Sequence, residues 1–127
     1  EPAGKVKMHA YALERLHLYS EGRIATAMLT ESEMDSFGPE AYTEGIVEKL
    51  RDIDTVEIAA FLRQKGKDVK VSLRAKQYAD VARIAASKNG GGHPRAAGYT
   101  EYDITVAEAE KIAVQLAEKE LQACWKE

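Results

Sequence analysis

The residues best suited to chemistry lie in one run, Asn89-Gly90-Gly91-Gly92-His93-Pro94-Arg95-Ala96-Ala97-Gly98. Glycine has no Cβ, so such a run can bring bare backbone amides up to a ligand, and amides that point inward together bind an anion. His93 and Arg95 would add donor side chains beside these amides. A plain loop is the alternative, because glycine clusters usually separate two elements. Flexible linkers, however, are normally rich in serine and glycine, and both interpretations stay open on composition alone.

Length, composition and charge restrict the class of protein. The chain has 127 residues, enough for one domain with its own core, and 45% of them are hydrophobic. No run reaches the roughly 20 apolar residues of a membrane span, so we expect no membrane partner. The start at Glu1 shows neither an initiator Met nor a signal-peptide pattern, which predicts an excised piece of a longer, cytoplasmic protein. The net charge of −3 argues against binding of duplex DNA through many phosphate contacts but not against a small phosphorylated ligand.

Residues for catalysis or metal binding are scarce. Cys124 is the single cysteine, which excludes a disulfide framework within one chain. His9 and His17 lie eight residues apart without a third ligand at metal spacing, so we interpret them as surface or packing residues. No Ser-His-Asp order stands out, and the carboxylates are scattered. We therefore expect no catalytic residue and no metal site in this chain.

The first half of the chain alternates between helical and extended patterns. Apolar spacing predicts a helix over 5–18 and, because both faces are apolar, a central strand over 23–29. A capping box at Thr30 and Glu33 opens a short helix. After the break at Gly38-Pro39, a second helix is predicted over 40–50.

The second half is predicted to position the glycine run. Strands over 55–64 and 69–74, joined by a short polar turn, predict an antiparallel hairpin with Ser72 and Arg74 on the face opposite the apolar residues. We expect a helix over 78–87, a left-handed cap at Asn89-Gly90, and a short strand from Gly98 to Tyr102. A capping box at Thr105 and Glu108 then starts the last helix.

These elements predict an α/β (α+β) fold. Its centre is a single mixed β-sheet of about four to five strands with helices packed on it, including the antiparallel hairpin. The helix between the hairpin and the glycine run lets Arg74 lie beside the run. A phosphate there would receive amide hydrogen bonds, a charge-assisted bond from Arg74, and a further donor from His93. The alternative for Arg74 alone is a solvated strand residue.

The residues also resemble a known family. Gly90-Gly91-Gly92-His93 followed by Ala96-Ala97-Gly98 resembles the signature of the DHH-associated domain, the C-terminal, substrate-binding half of DHH-family phosphoesterases. Segments 22–25, 44–53 and 71–76 are similar to other parts of that domain. Spacing and length resemble most the bacterial oligoribonuclease (nanoRNase) and 3′-phosphoadenosine 5′-phosphate phosphatase branch, whose members are often called exopolyphosphatase-related or RecJ-like. This chain departs from the pattern at Asn89, where many relatives have glycine, and at Pro94, where a lysine often follows the histidine.

The resemblance implies a division of labour. A missing N-terminal DHH domain would bind Mn²⁺ and hydrolyse the phosphoester, residues 1–20 would form a linker helix from that domain, and residues 21–127 would bind the substrate. This chain alone would then be inactive. Its partners would be the DHH domain and a short oligoribonucleotide or mononucleotide phosphate, and a homodimer is left open. The substrate-binding residues would be Ser72, Arg74, Gly90, Gly91, Gly92, His93 and Arg95.

Two other functions remain alternatives. The same kind of domain occurs in nucleic-acid-binding modules of alanyl-tRNA synthetase-like and RecJ-type proteins, and in cyclic di-AMP phosphodiesterases. The lack of a basic stripe argues against binding of tRNA or long single strands.

Overall fold

A six-stranded sheet forms the centre of the computed structural model, which describes residues 1–126. The strands are β1 (His17–Tyr19), β2 (Ile24–Leu29), β3 (Ile58–Lys65), β4 (Asp68–Ala75), β5 (Gly91–His93) and β6 (Ala96–Glu101). The helices are α1 (Ala3–Glu14), α2 (Glu31–Asp35), α3 (Ile46–Arg51), α4 (Val81–Ala86) and α5 (Val106–Lys126), with a 3-10 helix at Glu40–Thr43. No helix of this part of the chain is both long and apolar enough to cross a membrane.

The strand order is β1-β2-β3-β4-β6-β5. Strands β2 and β3 pair in parallel, and the other neighbours are antiparallel. The predicted mixed sheet and the β3–β4 hairpin are therefore confirmed. The count of six exceeds the expected four to five because β1 and β5 have three residues each, too few to show a period of two in the sequence.

Helices cover the two faces of the sheet unequally. On one face, α4 and α5 pack on the inward residues Val69, Val71 and Leu73 of β4. On the other face, α1 and α3 pack on β2 and β3, where Ala59 and Phe61 are buried. Burial on this second face decreases towards β6 and β5, and Gly91–His93 are exposed. We call the part of the second face that runs over β4, β6 and β5 the open face.

Two predicted helices in the first half of the chain needed correction. The first ends at Glu14 rather than continuing to residue 18, and His17 lies in β1, paired with Thr26. The predicted helix over 40–50 is divided into the 3-10 helix and α3 because Gly45 has φ +97°, a left-handed conformation that interrupts a right-handed helix.

The helix predicted over 78–87 is shorter than expected, spanning Val81–Ala86. The buried carboxylate of Glu57 accepts hydrogen bonds from three successive amides, those of Gln77, Tyr78 and Ala79, at 2.7–3.0 Å. These amides are fixed before the helix can begin, and the Asp80 side chain then caps it.

Both predicted capping boxes are present. The Glu33 amide lies 3.2 Å from Thr30 Oγ1, and the Thr30 amide lies 2.8 Å from Glu33 Oε1. Thr105 and Glu108 repeat the arrangement at the start of α5. Because these reciprocal bonds depend on four consecutive residues, the sequence was sufficient to locate both helix starts.

Candidate anion-binding face

Two rows of paired residues cross the open face from β4 through β6 to β5. In the first row, Ala96 is the pairing partner of both Arg74 and His93. In the second row, Gly98 is the partner of both Ser72 and Gly91. Paired residues in a sheet point to the same face. The sheet therefore brings the predicted Arg74 and Ser72 to the same surface as His93 and Gly91.

The residues in the middle of both rows have small side chains or none. Ala96 lies between Arg74 and His93, Gly98 lies between Ser72 and Gly91, and both middle residues are half-buried. A Cβ added at Gly98 would lie 3.0 Å from the Val71 carbonyl oxygen, so this position also favours glycine for packing. Beta-sheet strands lie about 4.8 Å apart, which puts the backbones of Arg74 and His93 about 10 Å from each other. This backbone spacing is wide enough for a small ligand over Ala96.

Arg74 is held in place by an acidic partner that the sequence did not suggest. Its Nε and Nη2 lie 3.2 and 3.1 Å from Glu48 Oε2, and its Nη1 donates to the Leu73 carbonyl at 2.9 Å. Its side chain is 26% exposed, so the alternative of a freely solvated strand residue is wrong. Glu48 lies on α3, 26 residues away, and no local spacing rule connects the two positions.

Gly90 does not present a bare amide. Its N–H donates to the Ala85 carbonyl at 2.8 Å, while the N–H of Asn89 donates to Ala86. Asn89 has φ +62°, as predicted for a left-handed cap, and the two bonds form a Schellman motif at the end of α4. A Cβ at Gly90 would lie 2.2 Å from the Gly98 carbonyl oxygen. The Gly90 amide thus completes the cap, and close packing against Gly98 requires a glycine at this position.

The rest of the glycine run forms a strand at the edge of the sheet, which corrects the expectation of an irregular loop. Gly91, Gly92 and His93 pair with β6 and are exposed. An edge strand directs alternate backbone amides and carbonyls away from its neighbour. Gly92 has φ +146°, and a Cβ there would lie 2.6 Å from the Ala96 carbonyl oxygen. A Cβ at Gly91 would meet nothing within 4 Å.

His93 and Arg95 have different surroundings. His93 is exposed, and its side chain forms no hydrogen bond or ion pair with any residue between 1 and 126. Arg95, in contrast, donates from Nη1 to the Ala79 carbonyl at 2.7 Å, and its own carbonyl accepts from the Ala75 amide. The structure therefore assigns Arg95 a bracing contact to the segment before α4 and leaves His93 accessible on the open face.

Two adjoining clefts follow the open face. The first, of about 340 Å³, lies between α3 and β4 and includes Arg74 and Glu48. The second, of about 360 Å³, lies along β6 and includes Lys70 and Tyr102. Arg63 and Ser72 line both clefts, so the two clefts adjoin at these residues.

Residues suited to metal binding are not gathered anywhere within 1–126, where no group of three His, Cys, Asp or Glu side chains could hold an ion. His9 is buried, with Nε2 2.8 Å from the Tyr42 carbonyl and Nδ1 2.9 Å from Lys49 Nζ. The Nδ1 of His17 lies 2.8 Å from Glu110 Oε2. These histidines connect secondary-structure elements, and the described residues do not fit a Mn²⁺ site.

The fold and the open face define a class: an α+β domain with a mixed sheet, one end of which exposes an arginine and a glycine-rich edge strand. Comparison with known proteins then gives the family. The profile of the DHHA1 domain matches residues 24–123, and the chain belongs to that family.

Two relatives are similar over nearly the whole chain. The bifunctional oligoribonuclease and PAP phosphatase NrnA of Thermus thermophilus is 27% identical over 120 residues, which are 94% of this chain and 36% of NrnA. The crystal structure of an exopolyphosphatase-related protein from Bacteroides fragilis superposes with a TM-score of 0.86 at 31% identity, over 94% of this chain and 35% of that one. The chain thus spans about a third of the length of either relative.

More distant structures share the fold alone. A pGpG-specific phosphodiesterase, PggH, from Vibrio cholerae gives a TM-score of 0.66 at 13% identity, over 92% of this chain and 40% of that one. The C-Ala domain of Aquifex aeolicus alanyl-tRNA synthetase gives 0.54 at 11%, over 73% and 88% of the two chains.

Proposed function

We propose that this chain is the substrate-binding domain of a metal-dependent phosphoesterase that hydrolyses short oligoribonucleotides, 3′-phosphoadenosine 5′-phosphate (pAp), or both. Membership of the DHHA1 family and the similarity to NrnA support this function. Because the chain spans about a third of NrnA, we assign it the binding step and assign hydrolysis to a separate N-terminal DHH domain. Mn²⁺ belongs to that domain in this proposal, since residues 1–126 hold no ligand cluster for it.

The pairing of Arg74 and His93 with the same alanine carries the proposal. A phosphate over Ala96 would be approached by a guanidinium from β4 and by an imidazole from β5. Hydrogen bonds from a charged donor to phosphate are about twice as strong as neutral ones. The Ser72 hydroxyl forms no hydrogen bond with residues 1–126 and lines the cleft that contains Arg74, so it supplies a further donor.

Arg74 is also prepared for binding. Its contacts to Glu48 and to the Leu73 carbonyl restrict its rotamers before a ligand arrives. A donor that is already ordered loses less side-chain entropy on binding, which improves affinity without a new contact. The glycines contribute by leaving the edge strand without side chains, so that a nucleotide can approach the backbone.

Calorimetric titration of the 127-residue chain with pAp tests this function. We expect Arg74→Ala and His93→Ala each to weaken pAp binding about tenfold or more, the effect of losing a charged hydrogen bond. His93→Ala should melt at nearly the wild-type temperature because His93 is exposed, and Arg74→Ala should remain folded with a small loss of stability because Glu48 loses its partner. Arg95→Ala is the matched control, since its guanidinium is bound to Ala79, and it should keep the affinity.

Two results would contradict the proposal. One is a folded Arg74→Ala protein that binds pAp as tightly as wild type. The other is hydrolysis of pAp or short RNA by this chain with Mn²⁺ at the rate of an intact relative, which would disprove the assignment of catalysis to a separate domain.

A further inference from the structure

A third row of paired residues crosses the open face beyond the two that contain Arg74 and Ser72. It consists of Arg63, Lys70 and Thr100 on β3, β4 and β6. Lys70 is four residues from Arg74 along β4, which corresponds to about 13 Å at 3.3 Å per residue. The backbones of these two cations are therefore further apart than those of Arg74 and His93.

Lys70 is the cation of this row that is open to a ligand. Its side chain forms no hydrogen bond or ion pair with the residues described, 1–126. Arg63 Nε is bound to Glu40 at 3.0 Å, and Lys88 Nζ is bound to Glu101 at 3.1 Å. Since Arg63 and Lys88 are both ion-paired, Lys70, whose charge acts on Glu40 only through space, supplies the positive charge of the second cleft that is most open to a ligand.

An exposed aromatic ring borders the same cleft. Tyr102 is 75% exposed, follows the last residue of β6, and lines the second cleft. Small residues, among them Ser72, Gly90 and Gly98, line the rest of the cleft. A single exposed tyrosine needs no explanation. An aromatic ring in the same cleft as a lysine that is not ion-paired, however, matches the way proteins bind single-stranded nucleic acid, in which the cation contacts a phosphate and a base stacks on the ring.

We infer that the second cleft is a subsite for a further nucleotide of a single-stranded oligoribonucleotide, with Lys70 bound to its phosphate and Tyr102 stacked on its base. The inference rests on the proposed function and extends it. Arg63 and Ser72 line both clefts, so a nucleotide backbone can run from Arg74 to Lys70 along one surface. The domain then favours ligands of several nucleotides over a mononucleotide, because only the longer ligand reaches Lys70.

Binding of a ligand series to the 127-residue chain tests the subsite. The ligands are pAp and 5′-phosphorylated oligoadenylates of two and four nucleotides, each titrated at several salt concentrations. Wild type should bind the tetranucleotide about tenfold more tightly than pAp. Lys70→Ala should remove most of this gain and reduce the slope of log K against log salt by about 0.7, the value for one phosphate contact on a single strand. The affinity for pAp should stay unchanged.

Matched variants separate a local effect from a general one. Lys111 is an exposed lysine on α5, on the other side of the sheet, and Lys111→Ala removes the same charge. It should keep the tetranucleotide affinity. Tyr102→Leu should weaken tetranucleotide binding roughly fivefold through lost stacking, and Tyr102→Phe should restore it.

The outcomes distinguish this inference from the function on which it rests. If wild type binds pAp through Arg74 but binds the tetranucleotide no more tightly, the subsite is wrong and the proposed function stands. Equal losses for Lys70→Ala and Lys111→Ala would also reject the subsite, since net charge alone would explain them. If wild type binds none of these ligands, the proposed function fails and the subsite with it.

Discussion

Glu48 and Arg74 form an ion pair in which both Nε and Nη2 of the arginine approach the same carboxylate oxygen, at 3.2 and 3.1 Å. The other oxygen, Oε1, is buried and has no hydrogen-bond partner among the residues described. The pair has two opposing effects on the open face. It orients the guanidinium, and it places a negative charge where we propose that a phosphate binds.

Replacing Glu48 by glutamine separates these two effects. The amide oxygen of the introduced side chain can still accept from Arg74, so the arginine stays oriented, while the negative charge is lost. We expect Glu48→Gln to bind pAp about threefold more tightly, in line with the energy of a partly exposed charge pair. Glu44→Gln, an exposed charge removal in the same cleft, should have a smaller effect. Weaker pAp binding by Glu48→Gln would show that the charge supports Arg74 rather than opposing the ligand.

Gly91 provides a second test, because a side chain at this position should affect ligand binding without affecting the fold. A Cβ at this position would meet nothing within 4 Å, and its φ is not in the left-handed region. We therefore expect Gly91→Val to keep a melting temperature close to wild type. It should nevertheless weaken pAp binding several-fold, because the isopropyl group would separate the ligand from the edge strand. Normal pAp affinity in a folded Gly91→Val protein would show that the ligand does not approach this backbone.

The neighbouring glycine is the control. Gly92→Ala would force a side chain into φ +146° and place Cβ 2.6 Å from the Ala96 carbonyl oxygen. This variant should lose stability, by about 1–3 kcal/mol for a residue held in a disfavoured conformation. Thermal melts of the two variants side by side distinguish a surface effect on binding from damage to the fold.

The sequence was informative where a feature depends on a few consecutive residues. The capping boxes at Thr30 and Thr105, the cap at Asn89 and the alternation of β4 were all predicted correctly. Longer-range contacts decided the rest. The start of α4 depends on Glu57, about 20 residues earlier in the chain, which binds the amides before the helix.

The candidate site was predictable as a set of residues but not as a geometry. Hairpin alternation puts Ser72 and Arg74 on one face, and the glycine signature draws attention to His93. That Gly91–His93 form a strand beside β6 depends on tertiary pairing, and three residues give no periodic signal. The pairing of Arg74 with Glu48 likewise requires α3 to lie over β4, which no local pattern specifies.

Protonation of His9 should loosen the attachment of α1. Burial lowers the pKa of His9 below its ordinary value of 6.5, and the charges of Lys49 and Lys5 lower it further against the raising effect of the Tyr42 carbonyl. The unfolded chain then binds a proton more readily than the folded one, so stability falls as pH decreases below 6.5. Urea unfolding at pH 7.5 and 5 should show this loss in wild type and less of it in His9→Gln. His93→Gln, which changes an exposed histidine, should retain the full loss.

Glu120 should stabilise the contact between α4 and α5 in a pH-dependent way. Its buried carboxylate accepts from Arg83 Nε and Nη2 at 2.9 and 3.0 Å and from the Asp80 amide at 2.9 Å. Burial alone would raise its pKa, but the bonds from Arg83 and the Asp80 amide outweigh burial and lower the pKa below 4.5. A lowered carboxyl pKa contributes stability that is present above the unfolded value and is lost as the pH falls through the folded one.

Comparing Glu120→Gln with wild type at two pH values tests this contribution. At pH 7 the variant should lose about 2 kcal/mol of unfolding free energy, the range for hydrogen bonds to a charged group. The difference should shrink as the pH falls through the lowered pKa, because the wild-type carboxyl is then also neutral. Glu118→Gln, an exposed change on the same helix, should cost less at pH 7. A loss in Glu120→Gln that is equally large in acid would mean that shape, not charge, makes Glu120 important, since the glutamine differs from the protonated acid only in its amide group.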